Sequence, residues 1–274
     1  MAEGRRLIVN ADDLGLHPSI NAGIVAAHRD GVVTSASLCA GGAAFEDAIT
    51  RLRQAPRLGV GVHLTLVAER PVSPPARLPT LAPHGRLPRH FTTLFRRLLL
   101  GRIRETEIEA ELVAQVGRVA DAGVRVTHLD GHQHVHLHPR LLPLVLRVAR
   151  RFSVPAIRAA RRVTPWSAVR PAMLSPFARR GARLVRAAGF KTPDTCLGLE
   201  STGRLDEPRL LALAGRLGAG TSELVCHPGL DDAAIAQRYD WGFRWQRELD
   251  ALTSPRVREA LGERAVALVH YGAL

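Results

Sequence analysis

The stretch VRVTHLDGHQHVHLHPRLLPLVLRVARRF, residues 124–152, contains the unit from which the fold is predicted. Residues 124–130 are predicted to form a β-strand, and Pro139 opens a predicted amphipathic helix over 139–152. At their junction, residues 127–139 hold five of the chain's 12 histidines. Such a density is typical of a metal site. A divalent ion needs only three or four protein ligands, so most of these imidazoles must have other tasks.

The same strand-and-helix unit recurs along the chain. Further strands are predicted at 5–13, 31–40, 58–66, 154–160, 221–229 and 264–270, and further helices at 19–31, 43–56 and 93–120. A proline-rich connection covers 67–92, and residues 161–190 are arginine-rich with a helical pattern. Serial units of this kind predict an α/β fold with a mostly parallel sheet or a barrel. The length of 274 residues fits a single domain, 1–274.

The composition is that of a globular protein, with 46% hydrophobic and 23% charged residues. No run approaches the roughly 20 apolar residues of a membrane span, and the start of the sequence has no signal-peptide layout. We therefore expect a cytoplasmic location. Cys39, Cys196 and Cys226 are widely spaced, which predicts neither a disulfide framework nor a thiolate metal site.

The net charge of +13 raises the question of a nucleic-acid partner. Lys191 is the only lysine, and the arginines are spread along helical segments instead of forming one block. This distribution indicates a chain-wide preference for arginine, so no nucleic-acid partner is expected. Attraction to acidic surfaces, including peripheral contact with anionic lipid, is left open.

Polar side chains collect where the predicted strands end. These are Asn10, Asp12 and Asp13 after the first strand, His63 after the third, His128, Asp130 and His132 after the fourth, and His227 after a later one. Because the carboxyl ends of parallel strands face a common rim, these side chains are expected to converge. Two imidazoles and a carboxylate would suit Zn²⁺ or a comparable divalent ion and leave a position open for water and substrate.

The Asp12–Asp13 pair needs a backbone turn to act at one site, because neighbouring side chains of a strand point to opposite faces. Gly15 would permit such a turn. One aspartate could then bind a metal while the other takes a proton from bound water. Structural alternatives exist for each residue: the pair could cap a helix, His63 could be a buried structural histidine, and His227 could shape a turn.

Five separated motifs carry a family resemblance. LIVNADDLGL, VTSASLCAGG, GVHLTL, THLDGHQHVHLHP and ELVCHPG occur in this order, and together they resemble the YdjC-like carbohydrate deacetylases. The resemblance runs from about residue 6 to residue 229 and is weakest over 160–220. It implies an irregular (β/α) barrel of the glycoside hydrolase/deacetylase type. It also implies metal-dependent hydrolysis of the N-acetyl group of an amino sugar.

The resemblance also implies a role for individual residues. Asp13, His63 and His132 match the ligands of one divalent metal ion, with Mg²⁺ and Zn²⁺ both left open. Asp12 matches the catalytic base, and His227 matches the general acid.

The other polar residues within 127–139 are assigned either to support of the metal ligands or to substrate binding. His128 and Asp130 share a strand face and are expected to support the ligands through hydrogen bonds, while His134 and His136 are expected to line the sugar site.

The substrate is left open between a soluble saccharide, such as a chitooligosaccharide, and an N-acetylglucosaminyl glycolipid of the hopanoid type. A non-catalytic carbohydrate- or metal-binding protein is a further alternative. A homodimer is neither predicted nor excluded.

Overall fold

The structure is a computed structural model that describes residues 4–159, 162–163 and 179–274. Its strands are β1 (Arg5–Leu14), β2 (Ser35–Leu38), β3 (Gly59–Leu64), β4 (Val126–Gly131), β5 (Ala156–Ile157), β6 (Arg162–Val163), β7 (Thr195–Leu197), β8 (Gly220–Cys226) and β9 (Val266–Leu268). Most of the predicted helical region 161–190 lies outside the described residues.

Ten helices surround these strands in the described ranges. They are α1 (Pro18–Arg29), α2 (Phe45–Leu52), α3 (Phe91–Leu99), α4 (Glu105–Asp121), α5 (Leu142–Arg151), α6 (described over 179–187), α7 (Glu207–Ala214), α8 (Asp232–Ala236), α9 (Trp245–Thr253) and α10 (Pro255–Glu263). Short 3₁₀ helices occur at Pro75–Arg77, His132–Leu137, Leu199–Ser201 and Tyr271–Ala273.

One sheet contains all nine described strands, in the order β5-β4-β3-β2-β1-β8-β7-β6, with β9 also paired to β1. Every pairing between these strands is parallel. A parallel bridge from Ala156 to Lys191 links the β5 edge to the segment that leads into β7. The sheet is therefore curled into an incomplete barrel with helices outside it, which confirms the predicted α/β fold.

Strand β1 lies at the centre of this sheet because three strands pair with it. β8 follows it over Arg5–Ala11, β9 pairs with its first three residues, and β2 pairs with its second half. Residues 7–14 are all buried. Burial on both faces explains why LIV forms a continuous apolar run before the polar residues begin.

The long connection 65–90 is fixed by the buried face of α4. The Glu111 carboxylate accepts hydrogen bonds from the backbone N–H groups of Val72, at 2.8 Å, and Ser73, at 2.9 Å. The Gln115 side chain bonds both to the N–H of Thr65, at 2.8 Å, and to its carbonyl, at 2.7 Å. These side chains satisfy backbone hydrogen-bonding groups of a connection that has little regular secondary structure of its own.

The sequence-based prediction differs from the structure in several places. The helix predicted from Pro139 begins at Leu142, and residues 132–137 form a 3₁₀ segment in which Gln133 and His134 adopt positive φ angles of 54° and 57°. Strand β7 and helices α7 to α10 were not predicted, and β6 is a strand within the region 161–190 that was predicted to be helical. No helix in the described ranges is long and apolar enough to cross a membrane.

Candidate active site

The expected convergence of polar residues occurs at the carboxyl ends of β1, β3, β4 and β8. On β1 the turn comes at Asp13 itself, whose φ is 71°, and the pairing with β2 shifts register between Ala11 and Leu14. Gly15, where the turn was expected, also has a positive φ of 92°. An aspartate adopts this left-handed conformation more readily than most residues. The irregularity lets Asp12 and Asp13 both reach the site.

Asp13, His63 and His132 form a buried group whose potential ligand atoms lie within 4.8 Å of one another. Oδ1 of Asp13 lies 3.1 Å from Nδ1 of His132 and 3.6 Å from Nε2 of His63. Two imidazole nitrogens and one carboxylate oxygen are a donor set that divalent ions use, with further positions left for water or substrate. The three residues predicted as ligands therefore fit one metal ion.

The electrostatics of this group favour a cation. Burial by itself would lower the pKa of His63, but the carboxylates of Asp130, Asp12 and Asp13 raise it to about 9. Burial by itself would raise the pKa of Asp13. The hydrogen bond with His132 and the charge of His132 outweigh burial and bring the pKa of Asp13 to about 2. Positive charge is thus stabilised at this position, as a proton or as a metal ion.

A second group, Asp12, His63 and Asp130, also brings its ligand atoms within 4.8 Å of one another. Both of its carboxylates already pair with Arg158, and Nδ1 of His63 is 2.9 Å from Oδ1 of Asp130. That bond leaves Nε2 of His63 to face Asp13. A carboxylate that bonds to the remote ring nitrogen is the usual support of a metal-binding histidine, so the first group fits a metal better.

Arg158 is the main residue that the sequence reasoning missed. Its side chain is 2% exposed, and its two terminal nitrogens each bond to one oxygen of Asp12 at 2.7 Å. It also lies 2.8 Å from Oδ2 of Asp130 and 2.8 Å from Oε1 of Glu223. The sequence signal was a lone arginine in the short apolar segment VPAIRAA and a lone glutamate, Glu223, at the start of the motif ELVCHPG. Buried charges of this kind require partners.

This pairing sets the charge of the predicted base. Burial raises the pKa of Asp12, but the Arg158 guanidinium outweighs burial and holds that pKa below its usual value. Burial raises the pKa of Glu223 to about 7 despite the opposing effect of Arg158. Asp12 is therefore ionised at neutral pH and held in one orientation by a bidentate contact.

His227 lies on the opposite side of the group, just beyond the end of β8. Its backbone N–H donates to Oε2 of the buried Glu248 at 2.6 Å, and its Nδ1 lies 4.0 Å from the same oxygen. Within the described residues, Nδ1 has no hydrogen-bond partner. Its ring meets that of Phe243 edge-on at 5.2 Å. The ring is thus held by its backbone and by Phe243, with Nδ1 buried on the side of Glu248.

Of the two residues expected to support the predicted ligands, Asp130 bonds to His63, whereas His128 contacts Ser37 and Thr127. Ser37 Oγ donates to Oδ2 of Asp130 at 2.7 Å and lies 3.2 Å from Nε2 of His128. The His128 ring stacks on Tyr271 at 3.8 Å, and burial lowers its pKa to about 3. A neutral His128 fits this packed position. Gly61 makes room for it, because a Cβ there would stand 2.4 Å from the ring.

His134 and His136 differ in what they can contact. His136 is 1% exposed, and its Nε2 bonds to the carbonyl of Arg158 at 2.8 Å, so it steadies the strand that carries the arginine. His134 is half-buried, with its ring 6.4 Å from that of His136. Of the two residues expected at the sugar site, His134 has the more accessible side chain.

Known proteins resemble this chain over nearly its whole length. The family model described as YdjC-like protein matches residues 6–263. A carbohydrate deacetylase from Geobacillus stearothermophilus is 34% identical over 269 residues, which cover 97% of each chain. A chitooligosaccharide deacetylase from Enterobacter sp. (strain 638) is 36% identical over 265 residues, or 96% of each chain.

A crystal structure from Enterococcus faecalis, provisionally described as a cellobiose-phosphate cleavage protein, has a TM-score of 0.81 at 29% identity and covers 98% of both chains. It supports the fold over the whole length. The expectation of an enzyme of the hydrolase class agrees with the names of both sequence relatives. Because the family model spans nearly the whole chain and these relatives match it from end to end, this protein belongs to the YdjC-like family.

Proposed function

We propose that this protein is a metal-dependent deacetylase that hydrolyses the N-acetyl group of an acetylated amino sugar. The observation that carries the proposal is the buried group Asp13, His63 and His132, with an ionised Asp12 and the His227 ring, backed by Glu248, beside it. A site that only bound a sugar or a metal would need neither of the last two groups. The names of the two sequence relatives support the same reaction class.

Asp13, His63 and His132 would hold the ion, which is Mg²⁺ or Zn²⁺. Two nitrogen ligands and one oxygen ligand favour Zn²⁺. When bound, such an ion supplies a Lewis acid that polarises the acetamide carbonyl and acidifies a water molecule.

Asp12 is proposed as the base that takes the proton of the attacking water. A carboxylate offers about four lone pairs. Arg158 and Asn10 both donate to Oδ1 of Asp12, whereas Arg158 alone donates to Oδ2. Oδ2 therefore keeps a lone pair for the water. Arg158 and Asn10 also fix the plane of the carboxylate, which limits the directions from which a proton can be accepted.

His227 is proposed as the acid. Cleavage of the C–N bond leaves an amine, which departs readily only when its nitrogen receives a proton. His227 would donate that proton, while Glu248, 4.0 Å from its Nδ1, stabilises the charged imidazole. Asp12 and His227 then divide the two proton transfers, and acetate and a free amino sugar are released.

A soluble acetylated saccharide is the first candidate substrate, since one relative is named a chitooligosaccharide deacetylase. A membrane glycolipid is the second, and a specific observation favours it. Leu99 and Leu100, at the end of α3, are 84% and 54% exposed, beside the exposed Arg96 and Arg102. Exposed apolar side chains flanked by arginines suit contact with an anionic lipid surface.

The proposal is tested by acetate release from N-acetylated saccharides and N-acetylglucosaminyl lipids, with and without a chelator. Activity should require the metal. His132→Ala should lose bound metal and activity together, whereas Asp12→Asn and His227→Ala should retain metal and lose at least about a hundredfold in rate. Asp30→Asn, at an exposed surface pair, is the control and should behave like the parent. Chelator-resistant activity, or a fully active Asp12→Asn variant, would refute the mechanism.

A further inference from the structure

The segment 239–245, YDWGFRW, carries an aromatic side chain at every second position. It includes two of the chain's three tryptophans and one of its two tyrosines. Consecutive rings touch: Tyr239 to Trp241 at 4.8 Å, Trp241 to Phe243 at 5.4 Å, and Phe243 to Trp245 at 5.6 Å between centroids. These four side chains form a continuous aromatic row between α8 and α9, and no step of the proposed reaction uses them.

The two ends of the aromatic row are anchors. Tyr239 is 5% exposed and Trp245 is 1% exposed. The Tyr239 hydroxyl donates to the carbonyl of Leu16 at 3.4 Å, and the Trp245 carbonyl accepts from the N–H of Gly229 at 3.2 Å. The row is thereby tied to the loops that follow β1 and β8, next to the two aspartates at the end of β1 and to His227 just after β8.

The two central rings differ from the ends in both burial and neighbours. Trp241 and Phe243 are only half-buried, although both are large apolar side chains. The Trp241 ring lies 5.6 Å from that of His132, and the Phe243 ring lies 5.2 Å from that of His227. The row therefore extends from the predicted metal ligand His132 to the predicted acid His227.

The position of Phe243 is built into the fold. Gly203 lies against it so closely that a Cβ there would stand 2.1 Å from the ring, and the N–H of Arg244 donates to the Gly203 carbonyl at 2.8 Å. A rigid aromatic surface loses little conformational entropy when a ligand covers it. Two preorganised, partly exposed rings beside the catalytic groups point to a ligand with an apolar face.

We propose that Trp241 and Phe243 form the binding surface for the pyranose ring of the N-acetylated sugar; this inference rests on the proposed deacetylase function. One face of a pyranose presents C–H groups that pack on an aromatic ring. With the sugar ring on this surface, its acetamide extends toward His132 and its nitrogen lies on the side of His227. The surface thus selects for a hexosamine ring over an open-chain amide.

The test is sugar binding without turnover. N,N′-diacetylchitobiose is titrated calorimetrically into chelator-treated parent, Trp241→Leu and Phe243→Leu proteins. Leucine keeps an apolar side chain but removes the flat ring. We expect Kd to rise about tenfold for Trp241→Leu and somewhat less for Phe243→Leu. Phe152→Leu, at a half-buried aromatic after α5, is the matched control and should leave Kd unchanged. Thermal unfolding verifies that each variant is folded.

Kinetics of the metal-loaded enzyme provide a second measurement. Loss of the binding surface should raise KM for the disaccharide about tenfold with a smaller change in kcat, and bound metal should stay at the parent level. Unchanged Kd and KM in both variants, loss of metal in Trp241→Leu, or no binding of the disaccharide by the parent would each overturn the proposal. A parent that binds the sugar with an affinity dependent on Trp241 but releases no acetate would refute the deacetylase function alone.

Discussion

Replacing Arg158 with methionine should strongly destabilise the protein at neutral pH. The change removes four charge-assisted contacts of 2.7–2.8 Å and leaves the buried carboxylates of Asp12 and Asp130 without their main partner. Breaking a buried ion pair on one side costs about 3–5 kcal/mol. At roughly 2–4 °C per kcal/mol for a chain of this size, the loss corresponds to a fall in Tm of about 6–20 °C.

The pH dependence of this loss has a definite sign. Arg158 lowers the pKa of Asp12 and holds that of Asp130 well below its usual value, against burial, which raises both. Such carboxylates stabilise the fold above their unfolded pKa, about 4, and this contribution disappears as the pH falls through the lower folded pKa. The stability difference between parent and Arg158→Met should therefore be full at neutral pH and shrink below about pH 4.

Denaturant unfolding with a chelator present, from neutral pH down to about pH 2, measures this difference. Arg147→Met is the matched control, because Arg147 pairs with Glu109 at 2.7 Å but is 51% exposed. Surface pairs contribute about 1 kcal/mol or less, so this variant should stay near the parent. If Arg158→Met lost no more stability than the control, or lost more as the pH fell, the role given to Arg158 would be wrong.

Two further perturbations test the packing around the site. Gly61→Ala places a methyl group 2.4 Å from the His128 ring and should lower the free energy of unfolding by about 1–3 kcal/mol, measured by denaturant unfolding. The control Gly218→Ala meets nothing within 4 Å and should change this free energy by well under 1 kcal/mol. Equal effects of the two substitutions would contradict the crowding argument. Glu111→Ala removes the acceptor of the backbone N–H groups of residues 72–73. Limited proteolysis should therefore cut the 65–90 connection faster in this variant than in the parent. An unchanged cleavage rate would show that other contacts hold the connection.

The convergence of the three predicted ligands was accessible from sequence because it follows from topology, whereas their selection from the other polar residues came from the family resemblance. Asp13, His63 and His132 each come at or beyond the end of an apolar strand, and parallel strands deliver such residues to one rim. The order of the strands in the sheet was not needed for this inference. It was enough that β1, β3 and β4 point the same way.

Arg158 and the aromatic row were not accessible in the same way. An arginine in a short apolar strand is interpretable only once its partners are known, and these lie 146 and 65 residues away in sequence, at Asp12 and Glu223. Segment 239–245 alternates aromatic and exposed residues as a strand would, yet it forms no strand and is fixed largely by contacts to neighbouring loops. The alternating aromatic residues can be read from the sequence, but the direction in which their side chains point depends on the tertiary structure.

The pairing of β1 also constrains how the protein can be assembled during synthesis. This strand leaves the ribosome well before its partners, because its ladder with β8 requires residues 220–226 and its pairing with β9 requires residues 266–268. At about 5–20 residues per second, its apolar edge must wait roughly 10–50 s for these partners. During that interval Asp12 and Asp13 have no formed site around them. The site at the end of β1 is thus completed only by segments made much later, and the exposed nascent edge is a point where chaperone binding or misassociation would act.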